Sequence, residues 1–526
     1  MKRIKLIILF VLLSGSFVSA FADTNETLTI MTFYPLPYGS YDKLHVANKL
    51  GIGTTNPGLA KLTVENGAIS HDENNTFYGD DASVATHINL GLNSTTGTNG
   101  QNYYYCTVAG GNNNSAMGNA SFIGGGVNNL VNMSANYTAI GGGASNFAGE
   151  NYTVVGGGFE NNAGGSYSVI IGGNSNTHGW DCPYSTIIGG DNNLASGINL
   201  TDGSEIGYTL VGGGSNNKAQ TPRSFVIGGF NNNASGEEFS TVVGGRNNRA
   251  IAEDATVIGG FGNTAGEGVV GEAEDSVVAG GYNNTAAGWI CAIGGGAYNT
   301  IASGNGTGGI NGTIVGGWNN TISMPNCTIG GGYDNVASGN FSTIGGGHYN
   351  VASGWQFSTI GGGSHNLASG EDCTVVGGYM NTAGPGDDAT VIGGYNNNAS
   401  GYASTILGGS SNIASGDFST VSGGQYNNAT GDYSWVGGRR ANVQSDKPYS
   451  FVWDGHETAP LGAGAPRTFN VGALGGFFFN GADVAEHMNV AESQIAQETE
   501  LVSLIGTDLL GQTKSAYDAN LLGVIS

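Results

Sequence analysis

A glycine run returns about every 15 residues through the middle of this chain, with the same residues at fixed distances around each run. Taking the last Gly of each run as a marker gives 21 units from Gly111 to Gly438. Of the 20 intervals, eleven are 15 residues long and six are 14, 16 or 17. The three that begin at Gly190, Gly260 and Gly296 are 24, 21 and 21 residues, which reads as loop insertions. A fixed internal period of this kind is the signature of stacked structural units.

The columns are stricter than the period. Three residues before the marker stands Val or Ile in 20 of 21 units, Trp435 being the exception. Three residues after it stands Asn in 20 of 21, with Ala441 the exception. Five after it stands Ala in 16 units, and five before it stands a Ser, Thr or Cys in most. A β-branched residue at one fixed place asks for a strand, and positions five and three before the marker share a face at a period of two. Asn and Gly are the residues that best accept a turn with positive φ. A second short strand carrying the Ala follows that turn. The chain is therefore expected to be all-β: a parallel β-solenoid of about 21 coils of about 15 residues, with two short strands per coil.

One column does not suit a lone rod. Two residues before the marker the side chain should face outward. Yet ten units carry Val, Ile or Leu there, among them Ile171, Val315, Ile392, Leu407 and Val436, and eight carry Gly. Branched apolar residues and bare Gly suit a surface packed on another chain. One Val or Ile and one Ala per coil is also little burial to offset the ordering of 15 residues.

At this point the residues resemble a known family. The stretch from Asn335 to Gly347, Asn-Val-Ala-Ser-Gly-Asn-Phe-Ser-Thr-Ile-Gly-Gly-Gly, looks like the repeats of YadA-like trimeric adhesin heads and related haemagglutinin-like proteins. The resemblance covers about 106–440; the family's commonest coil is one residue shorter. It implies a left-handed β-roll, a homotrimer with the coils side by side, and adhesion at a bacterial surface to a host, matrix or neighbouring-cell ligand.

The flanks differ. Residues 1–22 read as a secretory signal: Lys2, Arg3 and Lys5, an apolar stretch from Leu6 to Val18, then Ala20-Phe21-Ala22. An uncleaved N-terminal anchor is the alternative. Residues 23–105 form an extended, β-rich segment in which Gly51 to Val64 looks like the strand-turn units of phage-tail-fibre-like proteins. Residues 441–526 form a β-rich segment. There Ala482 to Glu486 and Lys514 to Ser526 resemble the region before the intramolecular chaperone of endosialidase-type fibres. Neither that chaperone nor the membrane barrel of trimeric autotransporters is recognisable, which leaves the anchor open. The expected location is extracellular or cell-surface.

Composition excludes other classes. The chain of 526 residues has 39 Asp and Glu against 15 Lys and Arg, and no cation lies between Arg249 and Arg439. Nucleic-acid binding needs clustered cations, so it is not expected. The Gly runs lack the P-loop pattern, no cofactor site is indicated, and no catalytic residue can be singled out, so the protein reads as a non-enzyme. Five widely spaced Cys, with no C-x-x-C, read as buried free thiols. No metal site is expected, although the acidic pairs Glu371-Asp372 and Asp387-Asp388 in adjacent coils could line one edge and attract a cation such as Ca²⁺. Solvated turn acids are the alternative. His348 and His365, in adjacent coils, read as solvated turn residues. Thr stands four residues before the marker in 12 units; such a ladder could bind ice or a crystal face, or reflect β-propensity alone. The function expected is a structural or adhesive fibre, the alternative a ligand-binding solenoid for polysaccharide, ice or cations.

Overall fold

The structure is a computed structural model. It describes residues 50–52, 62–64, 69–70, 76–77, 87–97, 105–180, 182–197, 207–266, 274–302, 310–455 and 460–472. From Ile69 to Gly472 the described chain winds as a parallel β-solenoid of about 23 turns, and none of the described residues is helical. Each coil gives two residues to each of two sheets. In the coil marked by Gly347 these are Thr343–Ile344 before the marker and Val351–Ala352 after it. Every strand pairs in parallel with its equivalents above and below, so that Ile344 meets Ile360 and Ala352 meets Ala368. The two layers are called here the Ile sheet and the Ala sheet. At roughly 4.8 Å per rung, 23 turns make a rod on the order of 110 Å long.

The columns become the core. Ile344, Ala337, Asn335 and Ser342 are all fully buried, as are their counterparts in nearly every coil. Two corners join the sheets. At the glycine corner the marker takes φ near +90°: Gly347 lies at +88°, and a Cβ there would sit 2.0 Å from the carbonyl oxygen of Gly363 in the next coil. No other residue fits so close an approach. The residue two after the marker is left-handed as well, as in Asp334 and Tyr349. At the opposite corner the residue six before the marker is left-handed, and it is often aromatic, as in Tyr152 and Phe341.

This corrects the reading of the Asn column as a turn device. The positive φ belongs to the residue before each of these Asn, while the Asn side chain points inward and forms a continuous ladder. Nδ2 of Asn350 donates to the carbonyl oxygens of Gly346 and Gly363, both at 3.0 Å. Its Oδ1 accepts the backbone N–H of Asn366 at 3.0 Å. The N–H to Oδ1 link runs unbroken from Asn114 to Asn427, where Ala441 N supplies the last donor. A buried amide thus gives the Gly346 carbonyl its donor and adds a second to Gly363, which also accepts the His348 N–H.

The outlying column members fall into register too. The unit before Gly438 is one residue short, so Val436 pairs with Val421 and is fully buried, while Trp435 pairs with the outward Thr420. Val436 therefore continues the core column rather than the outward apolar one. The rungs also run past 106–440. Ile88–Asn89 pairs with Thr107–Val108, and Phe451–Asp454 pairs with Phe469–Gly472. Leu50–Ile52 and Leu62–Val64 form a separate parallel pair. The signal segment, the stretch from Thr32 to Tyr38 and the chaperone-like segments lie outside the described residues.

Candidate contact surfaces

The two sheets and two corners give the rod four sides. On the outside of the Ile sheet stand the columns four and two residues before the marker, flanked by the Gly one before it. In all 21 units these three columns contain no Asp, Glu, Lys or Arg. Ile171 is 56% exposed, Val315 61% and Ile392 44%. Near the C-terminal end of the described rungs the strip becomes aromatic, with Trp435, Phe451 and Phe469 stacked at 4.3 and 4.7 Å between ring centroids. Such a charge-free, partly apolar strip along an acidic rod is a candidate contact surface, because exposed apolar patches of this extent commonly mark interaction sites. From Thr313 to Thr420 the column four before the marker is Thr in eight successive coils, paired in register.

The outside of the Ala sheet is different. There Lys218 and Arg249 stand exposed in one column with Asn233 between them.

The aromatic corner carries a ladder that the repeat columns had not revealed. Tyr137, Tyr152, Tyr167, Tyr184 and Tyr208 stack with centroids 4.7–5.1 Å apart and planes within 12°. The sequence held the signal, since each is six residues before its marker. All three insertions branch from this same corner, between an Ala-sheet strand and the next Ile-sheet strand. Their central residues, 198–206, 267–273 and 303–309, lie outside the described ones. The rungs on either side of each pair directly, for example Ile187 with Val211 and Val257 with Val278.

The acids line this corner, as their spacing implied, and bond along it. Asp387 Oδ1 accepts the backbone N–H of Glu371 at 3.1 Å. Asp417 and Asp432 repeat the pattern, each accepting an N–H of the coil before at 3.0 Å. Asp388 takes the Tyr402 hydroxyl and so raises that phenol's pKa. Burial, then the neighbouring Glu274 and Asp254, raises the Glu253 carboxyl. Among the described residues no three His, Cys, Asp or Glu side chains converge as a metal site, Glu371, Asp372, Asp387 and Asp388 included.

Inside the rod, all five cysteines are buried and none is in a disulfide. Burial raises the pKa of each, Cys291 to about 12. Cys182, outside the repeat columns, contacts Ser185 Oγ at 2.8 Å. His178 fills an Ala place in the core; burial lowers its pKa to about 4.

On the glycine corner the Arg246 guanidinium lies between the rings of Phe230 and Phe261, 5.2 and 5.7 Å from their centroids. Further along, His348 and His365 are both exposed at this corner, and both also contact Ser364. No protein-family model matches the chain, and no curated protein is similar to it.

Proposed function

We propose that this chain is an exported structural or adhesive fibre protein that works as a homotrimer and catalyses no reaction. The observation that carries the reading is the charge-free strip on the outside of the Ile sheet. Three rods packed along it would bury Ile171, Val315 and Ile392, and the Gly columns beside them would let the backbones approach. The acids, set at the aromatic corner from which the insertions branch, would stay outside such a bundle and be free to meet a partner surface. The resemblance to YadA-like head repeats supports the left-handed roll, the number three and an adhesive role. The apolar stretch of 1–22 supports export.

A second reading is a ligand-binding solenoid that uses the eight-coil Thr column as a flat array for a repetitive ligand such as polysaccharide or ice. That column lies on the strip the trimer would cover, so the two readings exclude each other there. Light scattering on the purified chain separates them. Three times the single-chain mass supports the fibre. A single-chain mass overturns it and leaves the Thr face free for binding assays.

A further inference from the structure

We infer that His348, Ser364 and His365 form a binding site for one divalent transition-metal ion of the zinc or copper(II) class. His348 Nε2 lies 2.8 Å from Ser364 Oγ, and His365 Nδ1 lies 2.6 Å from the same oxygen. The hydroxyl can donate to one ring nitrogen and accept from the N–H of the other, so both rings turn a nitrogen to the same oxygen. Two ring nitrogens from successive coils are thus aimed at one point. Zinc bonds imidazole nitrogen at about 2.0–2.1 Å, which sets two such nitrogens about 3.3 Å apart. An ion on the solvent side of Ser364 Oγ would be reached by turning the two exposed rings until their nitrogens take that spacing, with water completing its shell. Ser364, only 7% exposed, forms the floor.

The site is held on a rigid frame. His348 and Ser364 pair as neighbours in the column one after the marker, and His365 N donates to the His348 carbonyl at 3.0 Å. Below them Asn366 is fixed in the buried ladder. The ring of His365 sits between Tyr349 and Tyr379, with centroids 4.8 and 5.4 Å away. Imidazole selects borderline metals, whereas Ca²⁺ and Mg²⁺ need several oxygen ligands, so the hard cations are not expected here.

The test is calorimetric titration of the full chain with Zn²⁺ and with Cu²⁺, beside the H348Y/H365N variant. Both replacements occur at the same places in other coils, as Tyr333 and Asn319, so the rungs should form. The wild type should bind one more equivalent than the double variant, and the Cu²⁺ spin-resonance spectrum should show two nitrogen ligands that the variant lacks. Affinity should fall tenfold or more in either single variant. Zn²⁺ should also protect His348 and His365 of the unmodified protein from acylation by diethylpyrocarbonate, a readout that needs no variant. Equal stoichiometry and affinity in wild type and double variant, or acylation unaffected by Zn²⁺, overturns the assignment.

Discussion

His178 shows what one residue can do to a coil. It occupies a column that elsewhere holds Ala, is 1% exposed, and has Nε2 3.2 Å from the Val169 carbonyl oxygen. Burial favours the neutral ring and brings the pKa down to about 4. The unfolded chain holds its proton near 6.5, so between pH 6.5 and 4 it binds more protons than the folded one. Stability contributed by the neutral ring is intact above pH 6.5 and falls as the pH drops towards 4, by about 3 kcal/mol. Amide exchange in the rungs around Ala163 and Ala195, followed from pH 7 to pH 4, should show local opening that H178A lacks. Parallel pH profiles for the two proteins would contradict this. At this scale the sequence was a sound guide wherever a column was unanimous. Ile344 and Ala337 are core because a strand of two residues has one inward place. It was a poor guide to Trp435, because a coil one residue short moves the inward place to Val436, and a count from the marker cannot register that slip.

The coil is the element, and at its glycine corner the backbone depends on a side chain for hydrogen bonding. There the carbonyl of the Gly before the marker has no backbone donor, and the Asn ladder supplies one instead, as Asn350 does for Gly346. Replacing Asn350 by Ala leaves the Gly346 oxygen and the Asn366 N–H without partners, while the Gly363 oxygen keeps the His348 N–H. Each buried orphan costs about 1–3 kcal/mol, so N350A should weaken the rungs around it by about 2 kcal/mol or more. V351T, on the outward place of the adjoining strand, should change stability by about 0.5 kcal/mol or less. Denaturant unfolding of both variants checks the ordering; similar losses would place the stability elsewhere. The Asn recurrence was plain in the sequence, but its purpose was not. Asn is common both at left-handed turns and in buried amide ladders, and only the backbone angles tell which residue of the pair makes the turn.

For the whole molecule the open surface is the outside of the Ile sheet. Ile392 and Leu407 are adjacent rungs of the outward apolar column, 44% and 47% exposed in the single chain. If three chains pack there, I392D/L407D buries unpaired charges, a cost of several kcal/mol per ion, and the assembly should dissociate or fail to form. Solution mass together with far-ultraviolet dichroism reads this. A folded double variant with unchanged mass would remove that face from the interface. The strip was legible in the sequence because alternation predicts which residues face out. The pairing of His348 with His365 was not, because it depends on Ser364 lying one rung above the first and beside the second.

Every rung bonds to residues about 15 positions away, and even the insertions leave that pairing intact across their bases. Contacts so local in sequence close small loops at little entropic cost and form early. Such a chain can be assembled like a wound rope, each turn laid on the last as it emerges, with no need to wait for its far end.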